Sequence, residues 1–203
     1  MKINKTLLSI VILPLSFGTT LAQTESGSLI KPFGIGLHIE QFKINELNDL
    51  NSAPVNKIVF TISPMKSLRL EPEVGVKIGK DKTNNLKNSS FNLGLGAFGM
   101  LQRNQLNLYS GIRFEYAIVK SDDNNNLGNG SIIVNTKTNR FSIGPVIGCE
   151  YYLGTNFTFG GDLGLKYATL KSVKSQKPAG AKDEASNYIT TDTGLFIRFY
   201  FGK

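Results

Sequence analysis

The chain has no tryptophan, one cysteine (Cys149) and one histidine (His38) in 203 residues. A single cysteine excludes an internal disulfide, so stability must come from other sources. Cys149 itself reads as a small hydrophobe on an apolar face. His38-Ile39-Glu40 resembles a fragment of a zinc site, but one histidine and no cysteine pair leave too few ligands. Beyond the N-terminal region no apolar stretch reaches the roughly 20 residues a transmembrane helix needs. Any insertion into a membrane must use strands.

Residues 1–22 read as a secretory signal. Lys2 and Lys5 give a positive start, an apolar run follows from Leu7 to Phe17, and Thr20-Leu21-Ala22 fits a small-x-small cleavage site before Gln23. No cysteine follows that run, which argues against a lipoprotein anchor. Residues 23–203 then form one domain with no linker. The formal charge is +8 for the whole chain. Without Lys2 and Lys5 it is +6, from 21 basic and 15 acidic residues. Export and the lack of an aromatic-basic module exclude nucleic acid as partner. Anionic lipid headgroups, lipopolysaccharide or surface polysaccharide suit the excess charge better.

What is present is a period of two. From Ile189 to Phe201 the odd positions are Ile189, Thr191, Thr193, Leu195, Ile197, Phe199 and Phe201, and the even ones include Asp192, Gly194, Arg198 and Tyr200. Such alternation specifies a strand with two unlike faces. Eight segments read as strands, over Pro32–Phe42, Val55–Ser63, Leu68–Gly79, Ser90–Leu101, Gln105–Val119, Asn139–Leu153, Asn156–Leu170 and Tyr188–Phe201. Long polar connections are expected at Lys43–Pro54, Lys80–Ser89, Lys120–Thr138 and Lys171–Asn187, and short ones at Pro64–Ser67, Gln102–Asn104 and Gly154–Thr155. All the long connections then fall at one end. That layout predicts an all-β fold, an eight-stranded antiparallel up-and-down transmembrane barrel with short periplasmic turns and four long outer loops. Pro72 and Pro145 lie mid-strand and predict local bulges, since each removes a ladder donor.

The polar parity carries seven acids, Glu40, Glu71, Glu73, Glu115, Glu150, Asp162 and Asp192, and seven bases, Lys57, Arg69, Lys77, Arg113, Arg140, Lys166 and Arg198. An eight-stranded barrel is just wide enough for side chains to fill it. Buried charges are tolerated only when paired. The expected interior is a plugged lumen crossed by ion pairs, with Gly, Ser, Thr and Tyr filling gaps. Apolar-parity aromatics group into two belts, Phe33, Tyr151, Phe157, Phe199 and Phe201 at the short-turn end and Phe91, Tyr116, Phe141 and Tyr167 at the other. The competing arrangement is a soluble lipocalin-like barrel, with the same strands but the apolar set inside.

Three local motifs have simpler readings. Gly94–Gly99 matches GxGxxG, yet it lies within an alternating strand with no helix after it. Asp122–Gly130 has Leu127 where a calcium loop requires glycine. His38 falls on the inward parity with no serine arranged beside it, so a lumen hydrogen-bonding role is favoured over catalysis. Lys171, Lys174, Lys177 and Lys182 form a basic cluster that could meet lipopolysaccharide phosphates.

The segment Asp192–Phe201 resembles the closing strand of bacterial outer-membrane barrels. Asp192, Gly194, Ile197, Phe199 and Phe201 match the spacing of the signal such strands present to the barrel-assembly machinery, although Gly202-Lys203 follow the aromatic residue. Leu70-Glu71-Pro72-Glu73-Val74-Gly75 is similar to the third strand of small OmpA/OmpX-like "porin family" barrels. The resemblance implies a monomeric, non-enzymatic outer-membrane barrel of a Gram-negative cell, with no cofactor or metal. The expected role is structural or surface-interactive, toward a cell-surface ligand. A narrow channel for small solutes is the alternative, and a lipid-modifying enzyme ranks last.

Overall fold

A computed structural model describes residues 30–42, 56–81, 86–127, 130–175 and 184–202. The segment read as a secretory signal, Lys177, Lys182 and the whole of the first expected connection, Lys43–Pro54, lie outside the described residues. The strands are β1 (Phe33–Phe42), β2 (Asn56–Met65), β3 (Leu68–Asp81), β4 (Leu86–Arg103), β5 (Leu106–Leu127), β6 (Gly130–Tyr152), β7 (Phe157–Lys174) and β8 (Glu184–Phe201). Each pairs antiparallel with the next, and β8 returns to β1, closing a barrel. Phe33 marks the closure, pairing with Ile62 on one side and Phe201 on the other. Closure leaves no free sheet edge, which is what lets strands cross hydrocarbon.

The predicted alternation is realised side chain by side chain. Along β7 exposed and buried residues alternate from Phe157 to Thr169, interrupted only by half-buried Gly161. The short turns centre on Lys66-Ser67, Asn104-Gln105 and Leu153–Asn156. Asn104 adopts φ 53°, a left-handed conformation asparagine tolerates better than most residues.

The connections differ from expectation at the opposite end. β5 and β6 stay paired without a break from Leu106↔Tyr151 to Leu127↔Gly130, so most of Lys120–Thr138 is ladder and not loop. The Asn-rich segment was expected to break the strand, but Asn124, Asn125 and Asn126 pair with Ile133, Ile132 and Ser131. The β-branched residues of β6 have the propensity to hold such a ribbon. Likewise β3 and β4 pair as far as Asp81↔Leu86, shortening the second expected loop, and β7 pairs with β8 as far as Ser172↔Glu184.

The prolines do not cause bulges. Around Pro72 the β2–β3 register is the same at Val59↔Glu73 and Ile62↔Leu70, and Pro72 pairs with Leu95 on its other side. Around Pro145 the β6–β7 register is the same at Ile143↔Tyr167 and Val146↔Gly164, and Pro145 pairs with Ile112. Each missing donor therefore interrupts one ladder locally without shifting it. The register shifts lie elsewhere, between Ile39 and Phe42 in β1 and between Ile62 and Met65 in β2.

Candidate functional site

The polar parity of all eight strands converges on the bore. At the short-turn end Glu150 (β6) is the hub. Arg69 (β3) and Arg198 (β8) each donate to its Oε2 at 2.6 Å, and the Tyr200 hydroxyl donates to Oε1 at 2.9 Å. Arg198 also reaches Glu71 Oε1 at 2.8 Å. Higher in the bore Arg113 (β5) bridges Asp162 at 3.0 Å and Glu73 at 3.1 Å. Above that Lys57 (β2) donates to Glu40 at 2.6 Å and to Glu115. Lys166 (β7) meets Glu115 at 2.7 Å and Asp192 at 2.8 Å. Most partners sit on strands two or three places apart around the ring, so these ion pairs cross the bore instead of running along its wall.

Burial at this level demands compensation, because an isolated charge in a low-dielectric interior is costly. Each pair named has at least one short, charge-assisted hydrogen bond or close ion contact. His38 joins the same layer, with Nε2 3.2 Å from Asp162 Oδ1 and Nδ1 3.9 Å from Glu73. The tautomer decides which nitrogen donates.

Twelve of the fourteen charged residues assigned to the lumen from sequence are thus interlinked. Arg140 is half-buried near the upper end, hydrogen-bonded to Tyr188. Lys77 does not belong to the set. It is exposed and makes no ion pair among the described residues. β2 starts at Asn56, so β3 runs past its neighbour's described end beyond Val76, and Lys77 stands at the rim instead of in the bore.

Sequence reasoning missed an apolar cluster on the polar parity. Phe98, Met100, Tyr109, Val146 and Phe196 form a buried cluster. The Arg198 guanidinium lies 3.7 Å from the centre of the Phe196 ring, a cation–π contact in a desolvated setting. The signal that could have revealed the cluster is the glycine across each ladder. Phe98 pairs with Gly111, Tyr109 with Gly148, Phe196 with Gly160 and Tyr200 with Gly34. A Cβ at Gly148, Gly160 or Gly34 would run into the ring it pairs with, and one at Gly111 into the strand backbone at Ala97 and Phe98. Inward glycine therefore makes room for inward bulk.

The outer surface is the reverse. Phe199 is 49% exposed, Ile147 57% and Leu163 45%, whereas Arg113, Glu150 and Arg198 are 1%, 0% and 2%. The soluble lipocalin-like arrangement is thereby overturned, since it requires the opposite assignment. Large contiguous apolar surfaces are rare on soluble monomers and expected against acyl chains. The closing-strand motif is divided between the two faces. Asp192 and Gly194 point inward, while Ile197, Phe199 and Phe201 lie on the exposed apolar face.

An apolar exterior around an ion-paired interior defines the class, a transmembrane β-barrel of eight antiparallel strands. Solved structures share this architecture. The chain is similar to a major outer membrane protein from Thermus thermophilus, with a TM-score of 0.50 at 14% identity, over 83% of this chain and 98% of that one. It is also similar to Neisserial surface protein A, with a TM-score of 0.47 at 14% identity, over 84% of this chain and 97% of that one. The likeness is one of fold. No family model matches the chain, and no curated protein does.

Proposed function

We propose that the protein is an outer-membrane barrel with a closed lumen, serving membrane integrity or surface contact through its outer end and not conduction. The observation that carries the reading is the stack of cross-bore ion pairs, Glu150 with Arg69 and Arg198, Arg113 with Asp162, and Lys57 and Lys166 with Glu115. Ions could pass only by separating charges that hold one another in a desolvated bore, with the Phe98–Tyr109–Phe196 plug beside them. Export by the residue 1–22 signal, handling of the Asp192–Phe201 strand by the barrel-assembly machinery and a monomeric state belong to the same reading. So does a cell-surface ligand met by the outer β-ribbons. The apolar belt supports a membrane location. Planar-bilayer recording tests the reading. The purified protein should give no steady single-channel steps. Steady steps would replace this role with that of a narrow solute channel.

A further inference from the structure

Above the outer aromatic belt the outward face changes character within one or two residues. In β5 the outward positions run Tyr116, Ile118, Lys120, and in β6 they run Phe141, Asn139, Lys137. The inward neighbours Val119, Ser121, Thr136 and Thr138 are buried, which fixes Lys120 and Lys137 on the outside. These two lysines are direct cross-strand partners. Like charges placed opposite one another repel and destabilise a ladder unless a counter-charge sits between them. Ser89 pairs with Lys120 on the other side, and Lys137 pairs with Val173, so the row continues across four strands. Lys171, also exposed, pairs with Asn139 one step nearer the belt.

A concavity of about 640 Å³ lies over this row, lined by Lys87, Ser89, Lys120, Asn135 and Lys137 among others. Asp122 is the one acid in its lining, and its carboxylate accepts the Lys87 backbone N–H at 3.2 Å. Three ammonium groups against one carboxylate leave a net positive hollow with hydroxyl and amide donors beside it.

We infer that this hollow binds a phosphate group carried by a lipid of the surrounding leaflet. Its position selects a lipid-borne phosphate over a free one. The site is on the outside of the wall, and its rows lead directly down to Tyr116 and Phe141, which face the acyl region. A lipid lying against the belt would present its headgroup phosphate at the height of Lys120 and Lys137. The lysines act here as point-charge phosphate binders, with Ser89 and Asn135 completing the donor set. This inference rests on the proposed membrane location of the barrel and adds a ligand to its outer rim.

The test uses the full chain in detergent, titrated with bisphosphorylated lipid A and followed by native mass spectrometry. Retention should weaken at least about tenfold in Lys120→Gln/Lys137→Gln, because each change deletes a charge-assisted hydrogen bond. It should weaken similarly for wild-type protein with phosphate-free lipid A. Lys66→Gln/Arg103→Gln removes the same charge from exposed sites at the short-turn end and should leave retention unchanged. Inorganic phosphate at the same concentration should not compete. Equal retention by the Lys120/Lys137 variant, equal retention of phosphate-free lipid A, or loss of binding to inorganic phosphate would each overturn the inference. Each protein is also run on a heat-modifiability gel. A wild type that migrates identically boiled and unboiled sinks the membrane reading itself, whereas normal heat-modifiability with charge-independent retention sinks the lipid site alone.

Discussion

Gly194 and His38 occupy adjoining space so closely that a Cβ at position 194 would overlap His38 Nε2, with Asp162 Oδ1 just beyond. The glycine of the closing-strand motif therefore has a packing cause in the lumen, whatever else reads it. Gly194→Ala must displace the imidazole from Asp162 and should cost about 1–3 kcal/mol, as overpacking of a filled interior does. Gly154→Ala, at a turn where an added Cβ would meet nothing within 4 Å, serves as the control. Urea unfolding monitored by gel mobility separates the two. Equal midpoints for both variants would contradict the packing account.

Glu150→Gln should be among the most damaging single changes. It leaves Arg69 and Arg198 buried around a neutral amide, and breaking a buried ion pair from one side costs about 3–5 kcal/mol. Lys77→Gln, at the exposed rim, should fall within about 0.5 kcal/mol of wild type, as surface changes do. The same unfolding assay checks both. A large loss at Lys77 would return it to the network from which its exposure removes it.

Hydrogen exchange distinguishes a β5–β6 ribbon from a loop. Amides within Asp122–Asn126 and Ser131–Asn135, beyond the pairing to β4 and β7, should exchange slowly at alternate positions, and those of Val119–Ser121 and Thr136–Thr138 slowly throughout. Exchange throughout those residues at the rate of an open chain would restore the loop expected from composition.

These cases show which part of the molecule alternation can express. Parity told inside from outside for Arg113, Glu150 and Arg198, because a period of two maps directly onto two faces. It carried no information on height along the strand, and Lys77 shows the result, with the right parity at a level beyond the described residues of the neighbouring strand. Composition misled at Asn124–Asn126, where turn-prone residues pair with Ile133, Ile132 and Ser131. Partner choice was also invisible. That Glu150 gathers Arg69 and Arg198 from β3 and β8 depends on the curvature of the closed sheet, which no single strand encodes. Inward Phe98 and Phe196 were hidden for a related reason, since only their cross-strand glycines reveal that the bore has room for them.

The absence of tryptophan allows the central claim, acyl chains against the oily parity and charges enclosed, to be tested with a single introduced reporter. Leu163→Trp places an indole midway along the exposed face of β7, and Asn156→Trp places one in a short turn beyond the strands. The protein is reconstituted in bilayers whose lipids carry bromine midway along the acyl chains, and tryptophan emission is compared with that in unbrominated lipid. The account predicts strong quenching at position 163 and little at position 156. Unquenched emission from Leu163→Trp in a folded, heat-modifiable barrel would contradict it.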